Sequence, residues 1–312
     1  MQRLYLVDKL KWSLKVLESY QEKFYNPFID AFTLDAWLLA SRSIVVLDTR
    51  FDTTNGDANA LKLADRLPGA VHVDINLEAA SKAGPKTGRL PLPSIKQLQI
   101  DVSRWGINTD SVVVVYDEGH GAQAARLWWV LRWAGVRCVH ILDGGYKAWR
   151  AAGLPTTREA GLSKRGSVRL IAGGLVEIDA TQVVTWPQAG QLLDARTYEA
   201  YTGQAGQTTT GHIPGASSLP VASLQTPEGR LKSAESLRHQ LDELGINLNR
   251  PIATYCGSGG GAAYNVAALH SLGVEAALYA GSWSEWIKDP SRPTCQGDEQ
   301  ARNARQFMPI EF

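Results

Sequence analysis

Apolar residues in this chain fall into short unbroken runs and seldom alternate with polar ones. Ile44-Val45-Val46-Leu47, Val112-Val113-Val114-Val115 and Ile252-Ala253-Thr254-Tyr255 are of strand length. Continuous apolar runs suit strands of a parallel sheet covered on both faces; alternation marks a sheet with one wet face. Between the runs lie stretches of helical character, residues 122–134 and 262–272. Strand and helix in alternation predict an α/β fold with right-handed crossovers. The start of the chain reads differently. Leu4, Val7, Leu10, Leu14, Leu17 and Phe24 recur at three- and four-residue spacing and predict an amphipathic helix within residues 3–24. No run approaches the roughly 20 apolar residues of a membrane span.

The pattern occurs twice. Ile44–Asp48 runs into Asp48-Thr49-Arg50, and Gln191–Asp194 runs into Asp194-Ala195-Arg196. Leu67-Pro68-Gly69-Ala70 is answered by Ile213-Pro214-Gly215-Ala216, again 146 positions on. Asp117 and Cys256 each end a strand and lead into a Gly-rich turn and a helix. Leu142-Asp143-Gly144-Gly145 and Tyr279-Ala280-Gly281-Ser282 close the two halves. So long a period means two domains, not a solenoid of short repeats. The expected organisation is an N-terminal helical extension (1–30), a first domain (31–155), a Gly-, Thr-, Arg- and Lys-rich linker (156–177), a second domain (178–295) and a polar tail (296–312). Each domain is expected to be a parallel sheet flanked by helices.

Charge and cysteine content narrow the class. In 312 residues, 32 Lys and Arg nearly cancel 31 Asp and Glu, so no overall field favours nucleic acid or anionic membrane. Three cysteines cannot form a disulfide framework. Lys9, Lys11 and Lys15 interrupt any signal-peptide core, and a cytoplasmic setting is expected. The cysteines lack metal-ligand spacing, so no metal is expected. Cys138 reads as an inert strand residue, Cys295 as incidental in the tail, and the four tryptophans Trp128, Trp129, Trp133 and Trp149 as core or domain interface.

Cys256 is different. It stands where its counterpart is Asp117, and Gly257-Ser258-Gly259-Gly260-Gly261 and a helix near Ala262 follow it. Ligand sites of open α/β sheets lie beyond the carboxyl ends of strands. Glycines let a loop curl so that successive N–H groups point inward, and a helix N-terminus adds partial positive charge. Both stabilise a thiolate or an anionic sulfur carried on it. A cysteine phosphatase would need an Arg six positions after the Cys, where Ala262 stands. Gly257-x-Gly259-x-x-Ala262 matches a relaxed dinucleotide fingerprint, but the strand ending at Gly281 lacks the acidic residue such a site needs.

The paired Asp-x-Arg strands, Gly211-His212-Ile213-Pro214-Gly215-Ala216, the Asp117/Cys256 asymmetry and Gly281-Ser282-Trp283 resemble the two-domain rhodaneses, the thiosulfate and 3-mercaptopyruvate sulfurtransferases, over about residues 30–295. The resemblance implies an inactive first domain, a second domain that forms a persulfide on the loop cysteine, a small-molecule sulfur donor, a thiol or cyanide acceptor, and no cofactor. Cys256-Gly257-Ser258-Gly259 looks like the mercaptopyruvate type; thiosulfate enzymes place cations directly after the Cys. Three positions depart from the family. Its Val-Thr is Gly260-Gly261 here. Its substrate-gripping Arg-Phe-Arg-Gly is Ala200-Tyr201-Thr202-Gly203. Its first-domain His is Arg66.

The expected site is thus Cys256 as nucleophile, N–H groups from Gly257 to Ala262 around the sulfur, and Ser258 as a hydrogen-bond donor. Asp194, Arg196 and Arg66 are supporting residues. Arg50 and Arg196 are each expected to pair with a neighbouring acid under the loop, and His212 to brace the turn at Pro214. Arg66, Arg89, Arg196, Arg230 and His212 are candidates to replace the lost arginine clamp. The alternative function is a catalytically weak homologue that carries sulfur or binds a partner.

Overall fold

The structure, a computed structural model, describes residues 25–40, 43–50, 65–161, 163–204 and 210–298. The helix expected within residues 3–24 and most of the tail lie outside the described residues.

The first domain contains β1 (Phe28–Ile29), α1 (Ala31–Leu39), β2 (Ile44–Asp48), β3 (Val71–His72), α2 (Ile75–Glu78), α3 (Ile95–Arg104), β4 (Val112–Tyr116), α4 (Ala122–Trp133), β5 (Val139–Leu142) and α5 (Gly145–Ala151). The second contains α6 (Ala180–Ala189), β6 (Gln191–Asp194), α7 (Tyr198–Thr202), β7 (Ala216–Ser218), α8 (Ala234–Glu243), β8 (Ile252–Tyr255), α9 (Gly260–Ser271), β9 (Ala276–Leu278) and α10 (Ser282–Trp286). Every strand pair is parallel. The sheet orders are β1-β5-β4-β2-β3 and β7-β6-β8-β9.

The two halves match in detail. Leu47 pairs with Val71 and Val115, and Leu193 pairs with Ser217 and Thr254. In each domain the Arg of the Asp-x-Arg turns back on its Asp. Arg50 N–H and Arg196 N–H each donate to the Asp Oδ1 at 3.0 Å, and both guanidinium groups bind the same carboxylate. Such local rings lock the turn that ends the central strand. A residue pair beside β9 copies the role of β1 beside β5: Leu278 N–H donates to Val176, and Ile178 N–H donates to Leu278.

That last pairing revises the expected linker. Residues 163–178 run along both domains, with Val168 and Leu170 buried and Gly166 N–H donating to Ser103. Alternate apolar side chains bind the segment to the core.

α4 and α9 pack against each other across the domain boundary, and the largest core cluster draws residues from both domains. Both helices are buried along most of their length. Trp128, Trp129 and Trp149 are fully buried, and Trp128 lies edge-on to His270 of α9. Small residues let the helix starts approach. A Cβ on Gly260 would stand 3.1 Å from the Ala122 carbonyl. The domains therefore share one apolar cluster at their boundary, while each keeps a smaller cluster of its own.

Candidate active site

Cys256 follows β8 and is buried, with 6% of its surface exposed. Gly259 N–H donates to Cys256 Sγ at 3.0 Å. Gly259 has φ +93 and caps α9, whose first residue is Gly260, two before the expected Ala262. The left-handed turn at Gly259 is what aims this N–H back at the sulfur, and a side chain there is disfavoured. Gly257, Ser258, Gly260 and Gly261 line the cavity beside Cys256, whereas Ala262 is buried in the helix.

The first domain shows what the same turn does with a carboxylate. Gly121, φ +76, caps α4 as Gly259 caps α9. Asp117 Oδ1 accepts from Gly119 N–H (2.9 Å) and Gly121 N–H (3.0 Å). Its Oδ2 accepts from Gln123 N–H (3.2 Å) and Ala124 N–H (3.4 Å). Four backbone donors converge on one anion, so the loop at a helix N-terminus is an anion receptor in this fold. In the second domain a thiol enters it from the same side.

A residue without an assigned role in the sequence holds the thiol's backbone. Cys256 N–H donates to Ser282 Oγ (3.1 Å), and that hydroxyl donates to Tyr279 O (2.9 Å). Ser282 has φ +54, the one non-glycine described with positive φ. Trp283 N–H and Ser284 N–H donate to the carbonyls of Cys256 and Gly257. Gly281-Ser282-Trp283 is therefore the brace under the loop.

The cavity has a volume of about 370 Å3 and lies between the domains. Its first-domain wall includes Arg50, His72, Asp74, Asn76, Arg89, Gln123 and Arg126. The segment carrying Arg89 is strapped to the second domain. Arg89 N–H donates to Ser284 Oγ (2.9 Å), and Lys288 Nζ donates to Gly84 O (2.9 Å). Gly88 lies so close to Gly281 that a side chain there would collide with its carbonyl. Arg126, on α4, is 1% exposed, and its Nη2 donates to Leu90 O at 2.8 Å. Burial pulls its pKa down to about 10, against the opposing charges of Cys256 and Glu177.

Several expected residues lie elsewhere. Arg66 is buried, its backbone exchanging hydrogen bonds with Thr157 in an isolated antiparallel bridge, and does not line the cavity. Asp194 and Arg196 form the expected pair beneath the loop; Arg196 also donates to Gly211 O (2.6 Å) and lies 4.5 Å over the Trp283 ring. They support the turn and do not line the cavity. Arg230 is exposed beside Gly144. His212 is buried, with Nδ1 2.9 Å from Tyr201 O, and fixes the turn before Pro214. Cys295 is held by that turn, pairing with His212 through both backbone groups, so it does not belong to a loose tail. Cys138 is half-buried, 3.5 Å from His140 Nε2, and burial raises its pKa. Of the five clamp candidates, Arg89 alone faces Cys256. His72 and Arg126 face it too, and the sequence reading missed both. His72 had one signal: it follows Ala70 at the strand end where the duplicate has Ser218. Among the described residues no group of three His, Cys, Asp or Glu is arranged to hold a metal ion, and no helix is long and apolar enough to cross a membrane.

Comparison with known proteins agrees with this architecture. The family model "Rhodanese-like domain" matches residues 34–152 and again residues 178–289. SseB of Mycobacterium tuberculosis, provisionally designated a thiosulfate sulfurtransferase, is 39% identical over 86% of this chain and 96% of its own length. A Pseudomonas aeruginosa protein, provisionally designated a 3-mercaptopyruvate sulfurtransferase, is 38% identical over 83% of this chain and 95% of its own. The crystal structure of SseA, a 3-mercaptopyruvate sulfurtransferase of Escherichia coli, superposes with a TM-score of 0.73 at 30% identity, covering 83% of this chain and all of that one. The chain belongs to the two-domain rhodanese family of sulfurtransferases.

Proposed function

We propose that Cys256 is the nucleophile of this sulfurtransferase and carries the transferred sulfur as a persulfide. The observation that carries the reading is the Gly259 N–H directed at Cys256 Sγ in a cavity, at the turn where the twin domain binds a carboxylate. The thiolate attacks the donor's outer sulfur. With 3-mercaptopyruvate an S–S bond forms, the C–S bond breaks, and the thiol proton ends on the carbon of pyruvate. With thiosulfate the S–S bond to the sulfonate breaks and sulfite leaves. Either way the enzyme holds a persulfide anion, and cyanide or a thiol then removes its terminal sulfur and restores the thiolate.

Backbone N–H groups at the start of α9 offset the persulfide charge. Ser258, on the cavity wall, donates a hydrogen bond to the donor or leaving group. Domain 31–155 acts as the non-nucleophilic partner, 156–177 connects, and 178–295 carries the thiol. Small-molecule donor and acceptor are the partners, and the setting is cytoplasmic. The absence of a cation from Gly257-Ser258 favours 3-mercaptopyruvate over thiosulfate.

The test compares initial rates with both donors and cyanide, alongside intact mass after donor treatment. Ping-pong kinetics and a gain of one sulfur atom are expected for the wild type, with no gain in Cys256→Ser. A wild type unmodified by both donors would refute catalysis and leave the sulfur-carrier or partner-binding reading.

A further inference from the structure

We infer that Arg89 and Arg126 of the first domain form the anion clamp for the sulfur donor, taking over a task the second domain's own residues 200–203 lack the cations to perform. The inference rests on Cys256 being the reacting thiol.

Three arginines line the cavity, and they differ in how they are engaged. Arg50 is bound to Asp48 through Nε and Nη2, donates to Asp65 O and lies 4.1 Å over the Tyr146 ring. Its charge is matched, and its Nε and Nη2 are occupied. Arg126 has no such partner. Its Nη2 is held by Leu90 O, but Nε and Nη1 make no hydrogen bond among the described residues although the side chain is buried. A buried guanidinium with two unmet donors is costly unless an anion arrives. Its position relative to the reacting loop is fixed: a Cβ on Gly259 would stand 2.8 Å from Arg126 Nη1.

Arg89 stands on the other side of the same loop. A Cβ on Gly257 would be 2.9 Å from Arg89 Nη2. Its backbone is pinned to Ser284, while its exposed side chain forms no hydrogen bond or ion pair with a described residue. The two guanidinium groups thus flank the segment between Gly257 and Gly259 that follows the nucleophile. Glu177 opposes the charge of Arg126, but it forms no hydrogen bond or ion pair with it among the described residues and does not line the cavity. Asp74 lines the cavity, but its carboxylate caps α2, accepting from Asn76 N–H at 2.9 Å. Side chains at 257 and 259 would fill the space the guanidinium groups occupy, which gives these two glycines a second reason beyond loop curvature.

The ligand chemistry is a small oxyanion attached next to a transferable sulfur. A carboxylate of a 2-oxo acid and a sulfonate both present coplanar oxygen pairs to planar forks, which arginine grips bidentately and lysine does not.

The test separates this clamp from sulfur transfer itself. Iodoacetate and its neutral isostere iodoacetamide alkylate the same thiolate, losing iodide in each case. Their rate ratio at the Cys256 peptide, read by mass spectrometry, cancels changes in thiolate fraction and access. Arg89→Ala is expected to lower the iodoacetate-to-iodoacetamide ratio about tenfold, equivalent to about 1.4 kcal/mol of lost anion binding. Arg126→Met is expected to do the same, with Arg126→Lys covering the case in which Met disturbs the fold. Sulfite and pyruvate, the two leaving groups, are then compared as protectants against iodoacetate; the stronger one identifies the oxyanion, and protection should fall in Arg89→Ala. An unchanged ratio in folded Arg89→Ala overturns the clamp. A clamp intact by this measure in a protein that forms no persulfide would instead sink the reading of Cys256 as sulfur carrier.

Discussion

Single residues decide whether the reactive loop exists. Gly259 is the sharpest case. Its φ of +93 lies where an L side chain is strained, and a Cβ would also meet Arg126 Nη1 at 2.8 Å and Ala280 O at 2.9 Å. The conformational term alone costs about 1–2 kcal/mol. Gly259→Ala is therefore expected to lower stability by at least about 2 kcal/mol in urea unfolding and to slow sulfur loading of Cys256. An unshifted urea midpoint would show that the turn relaxes easily. The sequence disclosed the thiol because the duplicate carries Asp117 instead. It hid Arg126, whose role depends on helices packing across a domain boundary. One trace was available: a lone cation in Ala125-Arg126-Leu127-Trp128-Trp129, a stretch apolar on every side. Arg66 stands at the chain position of the family's His, but its backbone is bridged to Thr157 and it does not line the cavity.

At the scale of elements, the informative comparison is between α4 and α9. Each begins at a glycine in the left-handed region, and in each that glycine's N–H donates to the side chain that follows the strand, Asp117 or Cys256. Asp117 receives four backbone N–H groups, two of them from α4 itself. Asp117→Ala would leave all four buried or half-buried donors unmet. Each orphaned donor costs about 1–3 kcal/mol where water cannot replace the acceptor. A loss of roughly 2–4 kcal/mol is expected, read from the midpoint of chemical unfolding. A change under about 0.5 kcal/mol would mean that the receptor is wet and the comparison with Cys256 weak. Strand and helix identities were legible because the apolar runs are unbroken and occur twice. The connecting segment 156–177 was not. Its Gly-, Lys- and Arg-rich surface masks the alternation that buries Val168 and Leu170.

For the whole molecule, the contact between domains is sensitive to pH. Asp143 follows β5 in the first domain and accepts from Leu231 N–H of the second at 2.9 Å. Burial raises its pKa from 3.8 to about 6, against the pull of Leu231 N–H and Arg230. A carboxyl raised by folding favours the folded state while protonated. That contribution is complete below about pH 4 and is lost as pH rises through about 6. Asparagine keeps the acceptor and never ionises. Asp143→Asn should match the wild type near pH 4 and exceed it by up to about 3 kcal/mol above pH 7. Urea midpoints measured from pH 4 to 8 check this, and parallel curves for the two proteins would exclude it.

The strap that pins Arg89 to Ser284 has a consequence for how the proposed reaction centre comes into being. Thiol and guanidinium groups stand on different halves, yet they share one polypeptide, so their meeting is unimolecular. A centre divided between two chains would come apart on dilution; here the effective concentration of one half around the other is set by covalent attachment. On the proposed reading, the centre is assembled when the chain folds, with thiol and arginines all supplied by one chain.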